Sequence, residues 1–172
     1  MEIQTFTHTT SMGDIVSSWT LDGLFRISLG PDDQIAADAN RLLGKDQDRI
    51  SDFDQRLQRY FETGTEDFGD VAIDPVGWTP FMSRIYECCR QIRPGETMTY
   101  KQLGAAAGNE KASRAVGAAM SRNRVLLVIP CHRVIASNGQ LRGFSAPGGL
   151  VTKQALLDLE KSDCGQPLLS GC

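Results

Sequence analysis

The sequence predicts an α/β (α+β) fold, in which a small N-terminal domain with a short antiparallel sheet and helices precedes a mostly helical domain containing a helix-turn-helix. Residues 13–30 have the alternation and turn signal of a β-hairpin, whereas residues 79–122 have apolar side chains at helical spacing. A polar stretch interrupted by Gly and Pro, residues 65–78, separates the two. We therefore expect three parts: an N-terminal α/β domain at 1–76, a helix-turn-helix domain at 77–163 and a flexible tail at 164–172.

The N-terminal part is predicted to contain one hairpin and two helices. The two strands of the hairpin meet near Asp22–Gly23, a pair that favours tight hairpin turns. A short helix is expected at 32–44, where aspartates open the segment and Gly44 ends it. A second helix is expected at 51–64 because its apolar residues recur at helical spacing. These residues are Phe53, Leu57, Tyr60 and Phe61.

The C-terminal part is predicted to begin with an amphipathic helix over 79–92, with a proline in its first turn. Thr99 and Gln102 then form a capping box, which opens a short helix that ends at a glycine. Another helix starts near Glu110 or Lys111. Two short helices joined by three or four residues around a glycine match a helix-turn-helix.

The charge distribution divides the chain at the same place. Residues 1–78 hold six Lys or Arg against fifteen Asp or Glu, a net charge of −9, whereas residues 79–153 hold eleven against three, a net charge of +8. A basic segment in an acidic protein favours contact with phosphate, although a clustering of solvated charges is the alternative. The second helix of the pair carries mostly Ala, Gly, Ser and Val, which suits either a narrow groove of DNA or burial in the core.

The remaining composition argues against several classes of protein. The sequence contains no stretch of eighteen apolar residues, so no membrane span is predicted. The N-terminus lacks the basic start and apolar run of a secretory signal. Five cysteines without framework spacing, and the absence of CxxC and HxxxH motifs, predict reduced thiols and no bound metal. We expect a soluble protein without a membrane partner, cytoplasmic or, if the source is a eukaryote, nuclear.

A potential nucleophile stands beside a potential base directly after residues 125–130, an apolar run that we interpret as a buried strand or extended segment ended by Pro130. Cys131 comes next and is followed by His132. A thiol attacks as its thiolate, so it needs a base or a positive environment. Adjacent side chains on an extended segment point to opposite sides, which favours a bridging water or a tight turn between the two groups. The alternative for Cys131 is a buried small apolar residue.

Three blocks of sequence resemble the O6-alkylguanine-DNA alkyltransferases. They are "IPCHRVI", the upstream block "GETMTYKQLGAAAGNEKASRAVGAAMSRN" and the downstream block "GGLVTKQALLDLE", and the similarity extends from Thr79 to Glu160. The resemblance implies direct-reversal repair, in which the protein transfers an alkyl group from O6 of guanine in double-stranded DNA to its own Cys131. It implies a single turnover, no cofactor and a monomer, and it leaves open whether O4-alkylthymine is also a substrate.

The resemblance also implies a role for each residue near the thiol. Cys131 accepts the alkyl group and is expected to be ionised at neutral pH. His132 removes the thiol proton through a water molecule, Glu160 orients the imidazole, and Asn123 braces the turn that holds the cysteine. Spacing alone would not have selected Glu160 from the acidic residues nearby.

For the DNA, the resemblance implies that the damaged nucleotide leaves the stack, as it must for an enzyme that acts on an atom inside a duplex. Arg114 corresponds to the residue that fills the space, and Tyr100 to the one that crowds the neighbouring phosphate. Lys111 and Arg122, from the same helix as Arg114, are expected to contact DNA as well. The expected walls of the base pocket are the Val134 carbonyl, Phe144 and Ser145.

Two details depart from the family and two other functions compete. Many relatives carry Tyr in place of Phe144 and have a shorter link to the paired glycines than the "SAP" found here. The first competing function is a hydrolase that uses Cys131, His132 and an acid. The second is a non-catalytic sensor of alkylated DNA, against which the presence of the cysteine argues.

Overall fold

A computed structural model describes residues 2–30 and 45–161. The predicted hairpin is confirmed: strands β2, Gly13–Trp19, and β3, Leu24–Leu29, pair antiparallel across the turn at Gly23. Gly23 has φ +147°, and a Cβ there would lie 2.6 Å from the Ala72 carbonyl oxygen, so this turn requires glycine. A further strand, β1 at Gln4–Thr10, was not predicted and pairs with β2 to give the order β1-β2-β3.

The helix predicted at 51–64 is confirmed, and it begins earlier, as α1 at Lys45–Thr63. It packs on β1 and ends at Gly64, whose φ of +70° is the left-handed conformation that glycine adopts without strain. A Cβ at Gly64 would collide with the Leu159 carbonyl, so the glycine also allows the end of the helix to approach the C-terminal part closely. The helix predicted at 32–44 and the tail at 164–172 lie outside the described residues.

The amphipathic helix near 79–92 is confirmed as α2, Pro80–Arg90, with Pro80 in the first turn. The Thr99–Gln102 capping box is present in full and opens α3, Tyr100–Ala106. A two-residue strand, β4 at Met98–Thr99, precedes α3 and pairs in parallel with β5 at Val134–Ile135. The last helix, α5, spans Leu150–Lys161.

The second helix of the pair starts later than predicted: α4 spans Ser113–Ser121. The Asn109 side chain accepts a hydrogen bond from the Lys111 N–H at 3.0 Å, and the Asn109 carbonyl accepts one from the Ala112 N–H at 3.1 Å. These turns take the place of a first helical turn. The connection between the two helices is therefore six residues, 107–112, and the expectation of three or four was wrong.

The interpretation of residues 125–130 as a strand or extended segment was also wrong, although the burial it implied is confirmed. Leu127 has φ +68°, and the Ile129 N–H donates to the Val125 carbonyl at 2.9 Å, so the segment bonds to itself as a compact loop. Val125 forms a single bridge with Ile27 of β3. Cys131 consequently starts a turn of 3₁₀ helix, Cys131–Arg133, instead of ending a strand.

The two parts share their packing. One hydrophobic cluster includes side chains from the sheet, from α1 and from all the later helices. Arg124 connects the parts by hydrogen bonds: its carbonyl accepts from the Ile27 N–H at 2.8 Å, and its guanidinium donates to the Phe25 carbonyl at 2.7 Å. Within the described ranges, no helix is long and apolar enough to cross a membrane.

Candidate active site

The thiol of Cys131 lies at the wall of a cavity of about 270 Å³. Cys131 is 4% exposed, and the cavity is the space that the thiol faces. Tyr100 from α3, Gly117 and Met120 from α4, and Phe144 from the loop before α5 line the same space. Small residues on α4 therefore make room for a ligand next to the sulfur.

The loop before Cys131 is held by the side chain of Asn123. Its amide nitrogen donates to the Ile129 carbonyl at 2.9 Å, and its amide oxygen accepts from the Val125 N–H, also at 2.9 Å. The side chain thereby bonds to two backbone groups of a buried loop that pairs with β3 only through the single bridge at Val125. The Asn123 side chain also favours the ionised form of the Cys131 thiol and so opposes the rise in its pKa.

His132 points away from solvent and pairs with Glu160, and both side chains are fully buried. The imidazole Nε2 lies 2.7 Å from Glu160 Oε1. Burial alone would raise the pKa of Glu160, but hydrogen bonds and positive charge from His132 and Arg133 outweigh it and lower the pKa to about 2. An ionised carboxylate only accepts hydrogen bonds, so Nε2 carries the hydrogen and Nδ1 carries a lone pair. Nδ1 has no hydrogen-bond partner among the described residues.

Arg133 is a buried partner of Glu160 that the sequence analysis did not single out. Its Nη2 donates to Glu160 Oε1 at 2.8 Å, and its Nε lies 3.0 Å from Oε2. The remaining Nη1 donates to the Ile92 carbonyl at 2.6 Å. The guanidinium therefore neutralises the buried carboxylate and fixes its plane.

Lys153 brings a second buried cation to the site. Its ammonium group donates to the carbonyls of Val134, at 2.7 Å, and Arg142, at 3.0 Å, and the residue is fully buried. Burial lowers the pKa of Lys153, and the nearby Cys131 and Cys89 oppose that shift. In return, the Lys153 charge stabilises the thiolate form of Cys131.

The expectation that the thiol is ionised at neutral pH was wrong for the protein without substrate. Burial raises the pKa of Cys131 above its ordinary value, and this effect exceeds the opposing hydrogen bond from Asn123 and charge of Lys153. The resting group is therefore a neutral thiol. Its proton has to leave when the reaction occurs.

An open groove of about 440 Å³ adjoins the cavity and shares Tyr100 with it. Arg114 lines this groove together with two cations that were not predicted, Lys101 and Arg142. The Tyr100 hydroxyl donates to the Arg142 carbonyl at 3.0 Å, which ties the start of α3 to the loop before α5. The cavity thus lies beside a surface that carries three positive side chains.

The structure separates the other predicted DNA contacts from this groove. Lys111 is exposed in the turn before α4. Arg122 follows α4 and lines a different cleft, together with Arg26 and Arg124. Of the seven residues predicted around the DNA and the base, two line the groove, Tyr100 and Arg114.

Two of the three residues expected to form the base pocket line the cavity, and the third does not. Phe144 and Ser145 line the cavity beside the thiol, as expected. Val134 is fully buried and is not among the residues that line the cavity, and its carbonyl accepts a hydrogen bond from Lys153. No group of three or more His, Cys, Asp or Glu side chains in 2–30 and 45–161 is arranged to hold a metal ion.

Comparison with known proteins gives the chain a family. A family model described as "6-O-methylguanine DNA methyltransferase, DNA binding domain" matches residues 80–162. A methylated-DNA–protein-cysteine methyltransferase of Methanosarcina mazei is 37% identical over 119 residues, which are 69% of this chain and 73% of that protein. The chain belongs to the O6-methylguanine DNA methyltransferase family. Its relative from Methanosarcina acetivorans is 43% identical over 108 residues, 63% of this chain and 67% of that one.

Solved structures extend the similarity over nearly the whole chain. The Mycobacterium tuberculosis O6-methylguanine methyltransferase has a TM-score of 0.75 at 27% identity, covering 97% of this chain and 98% of that one. A structure of the M. tuberculosis protein in complex with DNA has a TM-score of 0.73 at 28% identity, covering 93% and 94%. The α/β fold predicted from the sequence is that of the methyltransferase family.

One of the buried polar residues that the sequence analysis missed, Lys153, left a signal in the sequence. Lys153 and Glu160 fall on the same helical stripe of α5 as Leu156 and Leu157, at the spacing of a buried face. A charge on such a stripe needs a buried partner, so the spacing could have indicated Lys153, whereas Glu160 was indicated by the family resemblance. Arg133, next to the histidine in the chain, gave no such signal.

Proposed function

We propose that the protein repairs O6-alkylguanine in double-stranded DNA by transferring the alkyl group to the Cys131 sulfur. The observation that carries this proposal is the position of the thiol. Cys131 lines a cavity beside a basic groove, and the next residue, His132, belongs to a buried imidazole–carboxylate pair. A nucleophile, a base and a space for a ligand therefore adjoin one another.

The transfer is a displacement at the alkyl carbon. The carbon–sulfur bond forms as the bond between that carbon and guanine O6 breaks, and the guanine leaves with the electron pair. The thiol proton passes through a water molecule to Nδ1 of His132, the imidazole nitrogen that has a free lone pair. Guanine takes up one proton, which balances the one that the thiol loses.

The raised pKa of the thiol fits this sequence of events. A neutral, buried thiol reacts slowly with other electrophiles, so the protein is protected until a damaged base enters. The charge of Lys153 and the Asn123 hydrogen bond then stabilise the sulfur as its negative charge develops. The resting thiol and the attacking thiolate are thus two states of one site.

The base reaches the thiol by leaving the duplex. Arg114 is proposed to enter the space left in the stack, while Tyr100 crowds the adjacent phosphate at the mouth of the cavity. Extrusion costs a few kcal/mol and costs least for a weakened base pair, which favours the damaged nucleotide. Lys101 and Arg142 are proposed to bind phosphates along the groove.

The test is the stoichiometry of repair. A fixed amount of protein is mixed with increasing amounts of duplex that contains one O6-methylguanine, and the repaired guanine is counted. We expect the product to reach a plateau at one per protein molecule, because water does not readily displace a thioether sulfur. Continued turnover would favour a hydrolase, and binding without loss of the methyl group would favour a sensor.

A further inference from the structure

Tyr60 is a residue of the N-terminal part that contacts the buried pair behind Cys131. It lies on α1, outside the segment 80–162 that the family model matches. Its side chain is 1% exposed, and its hydroxyl donates to Glu160 Oε1 at 2.7 Å and lies 3.5 Å from His132 Nε2. The N-terminal part therefore reaches the proton acceptor of the site directly.

We propose that Tyr60 is a positioning residue, whose hydroxyl holds Glu160 and His132 in the state in which Nδ1 of the imidazole accepts the thiol proton. The inference rests on the proposed alkyl transfer. It assigns the N-terminal part a share in the chemistry, through one hydrogen bond across the boundary between the two parts of the chain.

The hydrogen bonds around Glu160 define that state. Oε1 accepts from three side chains: the phenol of Tyr60, Nε2 of His132 and the guanidinium of Arg133. Each donor makes the carboxylate a weaker base, so the hydrogen between Glu160 and His132 stays on Nε2. The lone pair then stays on Nδ1, which faces no protein partner among the described residues.

Packing does not require the hydroxyl group. The Tyr60 ring meets Phe61 edge-on, with 5.1 Å between the ring centroids, and Phe68 at 5.7 Å, contacts that a phenylalanine would also make. A buried hydroxyl is unfavourable unless it is hydrogen-bonded, and here its partner is Glu160. Burial and the Glu160 charge raise the pKa of Tyr60 well above its ordinary value, so the phenol remains a donor.

The titratable and charged groups around His132 come from three elements. Glu160 and Lys153 lie on α5, Cys131 and Arg133 lie in the same 3₁₀ turn, and Tyr60 lies on α1. Burial lowers the pKa of His132, while Glu160 raises it. Removing the phenol makes Glu160 more basic, so the pKa of His132 should rise.

The experiment compares Tyr60→Phe with Tyr86→Phe in the full chain. Tyr86 is also 1% exposed, and its hydroxyl donates to the Ala119 carbonyl at 2.7 Å, so its variant measures the cost of losing a buried phenol hydroxyl elsewhere. We measure the single-turnover rate of methyl transfer from pH 5 to pH 9, in roughly half-unit steps. The rate rises with pH as His132 loses its proton.

For Tyr60→Phe we expect the midpoint of this rise to move up by about half a pH unit, which makes transfer about threefold slower below the midpoint. At high pH the rate of Tyr60→Phe should equal that of the wild type. Tyr86→Phe should keep the wild-type midpoint. An unchanged midpoint in Tyr60→Phe would overturn the proposal, whatever its effect on stability.

A second measurement does not depend on transfer. The chain contains two histidines, so a nuclear magnetic resonance titration of their ring nitrogens can follow His132 with His8 as an internal reference. We expect Tyr60→Phe to raise the pKa of His132 and to leave that of His8 unchanged. If the wild type transfers no methyl group, the proposed function fails, and this titration still decides whether Tyr60 controls the imidazole.

Discussion

Both histidines of the chain are buried beside a carboxylate and near a potential nucleophile, and only one of the two arrangements is open to a ligand. Nδ1 of His8 lies 2.9 Å from Asp54 Oδ1, and its Nε2 lies 2.7 Å from the Ser17 hydroxyl. Serine, histidine and aspartate are the groups of a hydrolase triad. The site of Cys131 and His132 has a less familiar set of groups.

Access and the free lone pair make the difference. A carboxylate accepts from Nδ1 of His8, so Nε2 carries the lone pair and the Ser17 hydroxyl donates to it. Ser17 is fully buried, and its hydroxyl also accepts a hydrogen bond from the Trp19 indole at 2.9 Å. His8 therefore bonds through both nitrogens, whereas His132 keeps Nδ1 free. Cys131 faces a cavity. A nucleophile and a base form a reactive site only where a substrate can enter and a nitrogen is free to take a proton.

The largest expected effect separates the two nucleophiles. Cys131→Ser should abolish methyl transfer, because a serine hydroxyl is a far weaker nucleophile than a thiolate, while binding to unmodified duplex stays largely intact. Ser17→Ala, its counterpart in the other cluster, should transfer within about twofold of the wild-type rate, because Ser17 contacts no group of the site. Transfer is followed by intact-mass measurement. Equal loss of methyl transfer in both variants would contradict the assignment of Cys131, and not Ser17, to the reactive site.

The next largest effect on the transfer rate should distinguish the two carboxylates, Glu160 beside His132 and Asp54 beside His8. Glu160→Gln leaves the Arg133 charge buried without its partner and weakens the orientation of His132, so transfer should slow about 100-fold. Asp54→Asn, whose side chain is 44% exposed, should leave the transfer rate within about twofold of the wild-type value. Single-turnover rates measure both variants, and far-ultraviolet circular dichroism checks that each one folds. Similar rates for the two variants would contradict the role given to Glu160.

The groove should direct DNA to the site of Cys131 and His132 and not to the cluster of His8 and Ser17. Arg114→Ala should slow repair of duplex DNA about tenfold while weakening affinity less, because the side chain is proposed to act in extrusion. Arg59→Ala, on α1 and paired with Glu66, removes a cation outside the groove and should change neither. The measurements are single-turnover rate and duplex affinity. An unchanged repair rate in Arg114→Ala would remove its assignment.

The last prediction concerns stability as a function of pH and not the transfer rate. The pKa of Glu160 is about 2 in the folded protein against an ordinary 4.5, so its ionised form stabilises the fold above pH 4.5 and this stability is lost as the pH falls towards 2. The difference is worth about 3 kcal/mol at ~1.4 kcal/mol per pH unit. Burial lowers the pKa of both histidines below 6.5, so their neutral forms stabilise the fold above pH 6.5. This stability is lost as the pH falls below 6.5, before the contribution of Glu160 is lost.

Urea denaturation at a series of pH values measures this difference. His8→Gln should flatten the loss of stability below pH 6.5 in part, and Glu160→Gln should remove the part between pH 4.5 and 2. If Glu160→Gln kept the wild-type slope in the acidic range, the low pKa of Glu160 would be contradicted.

The sequence predicted the features that depend on neighbours in the chain. The Thr99 capping box, the proline at the start of α2 and the turn at Gly23 each act over a few residues, and each is confirmed. The prediction for residues 125–130 failed because the Asn123 side chain makes hydrogen bonds to this segment that a paired strand would otherwise make. An apolar, β-branched run carries no sign of that replacement.

The site could be predicted only in part for a similar reason. The pattern of residues indicated Cys131 and His132, and the resemblance to the family added Glu160; the structure pairs Glu160 with His132. Tyr60 was predicted as an apolar core residue, and its burial is confirmed. Its hydroxyl meets Glu160, which is 100 residues away in the chain, and no periodicity reports a contact over that distance.

The central claim is that the Cys131 sulfur receives the alkyl group. The most direct test is to mix the protein with duplex containing O6-methylguanine, digest it, and locate the added mass by peptide sequencing. The account predicts one methyl group, on the peptide that contains Cys131 and on no other. A methyl group on the peptide of Cys88 and Cys89, or unmodified protein beside repaired DNA, would contradict it.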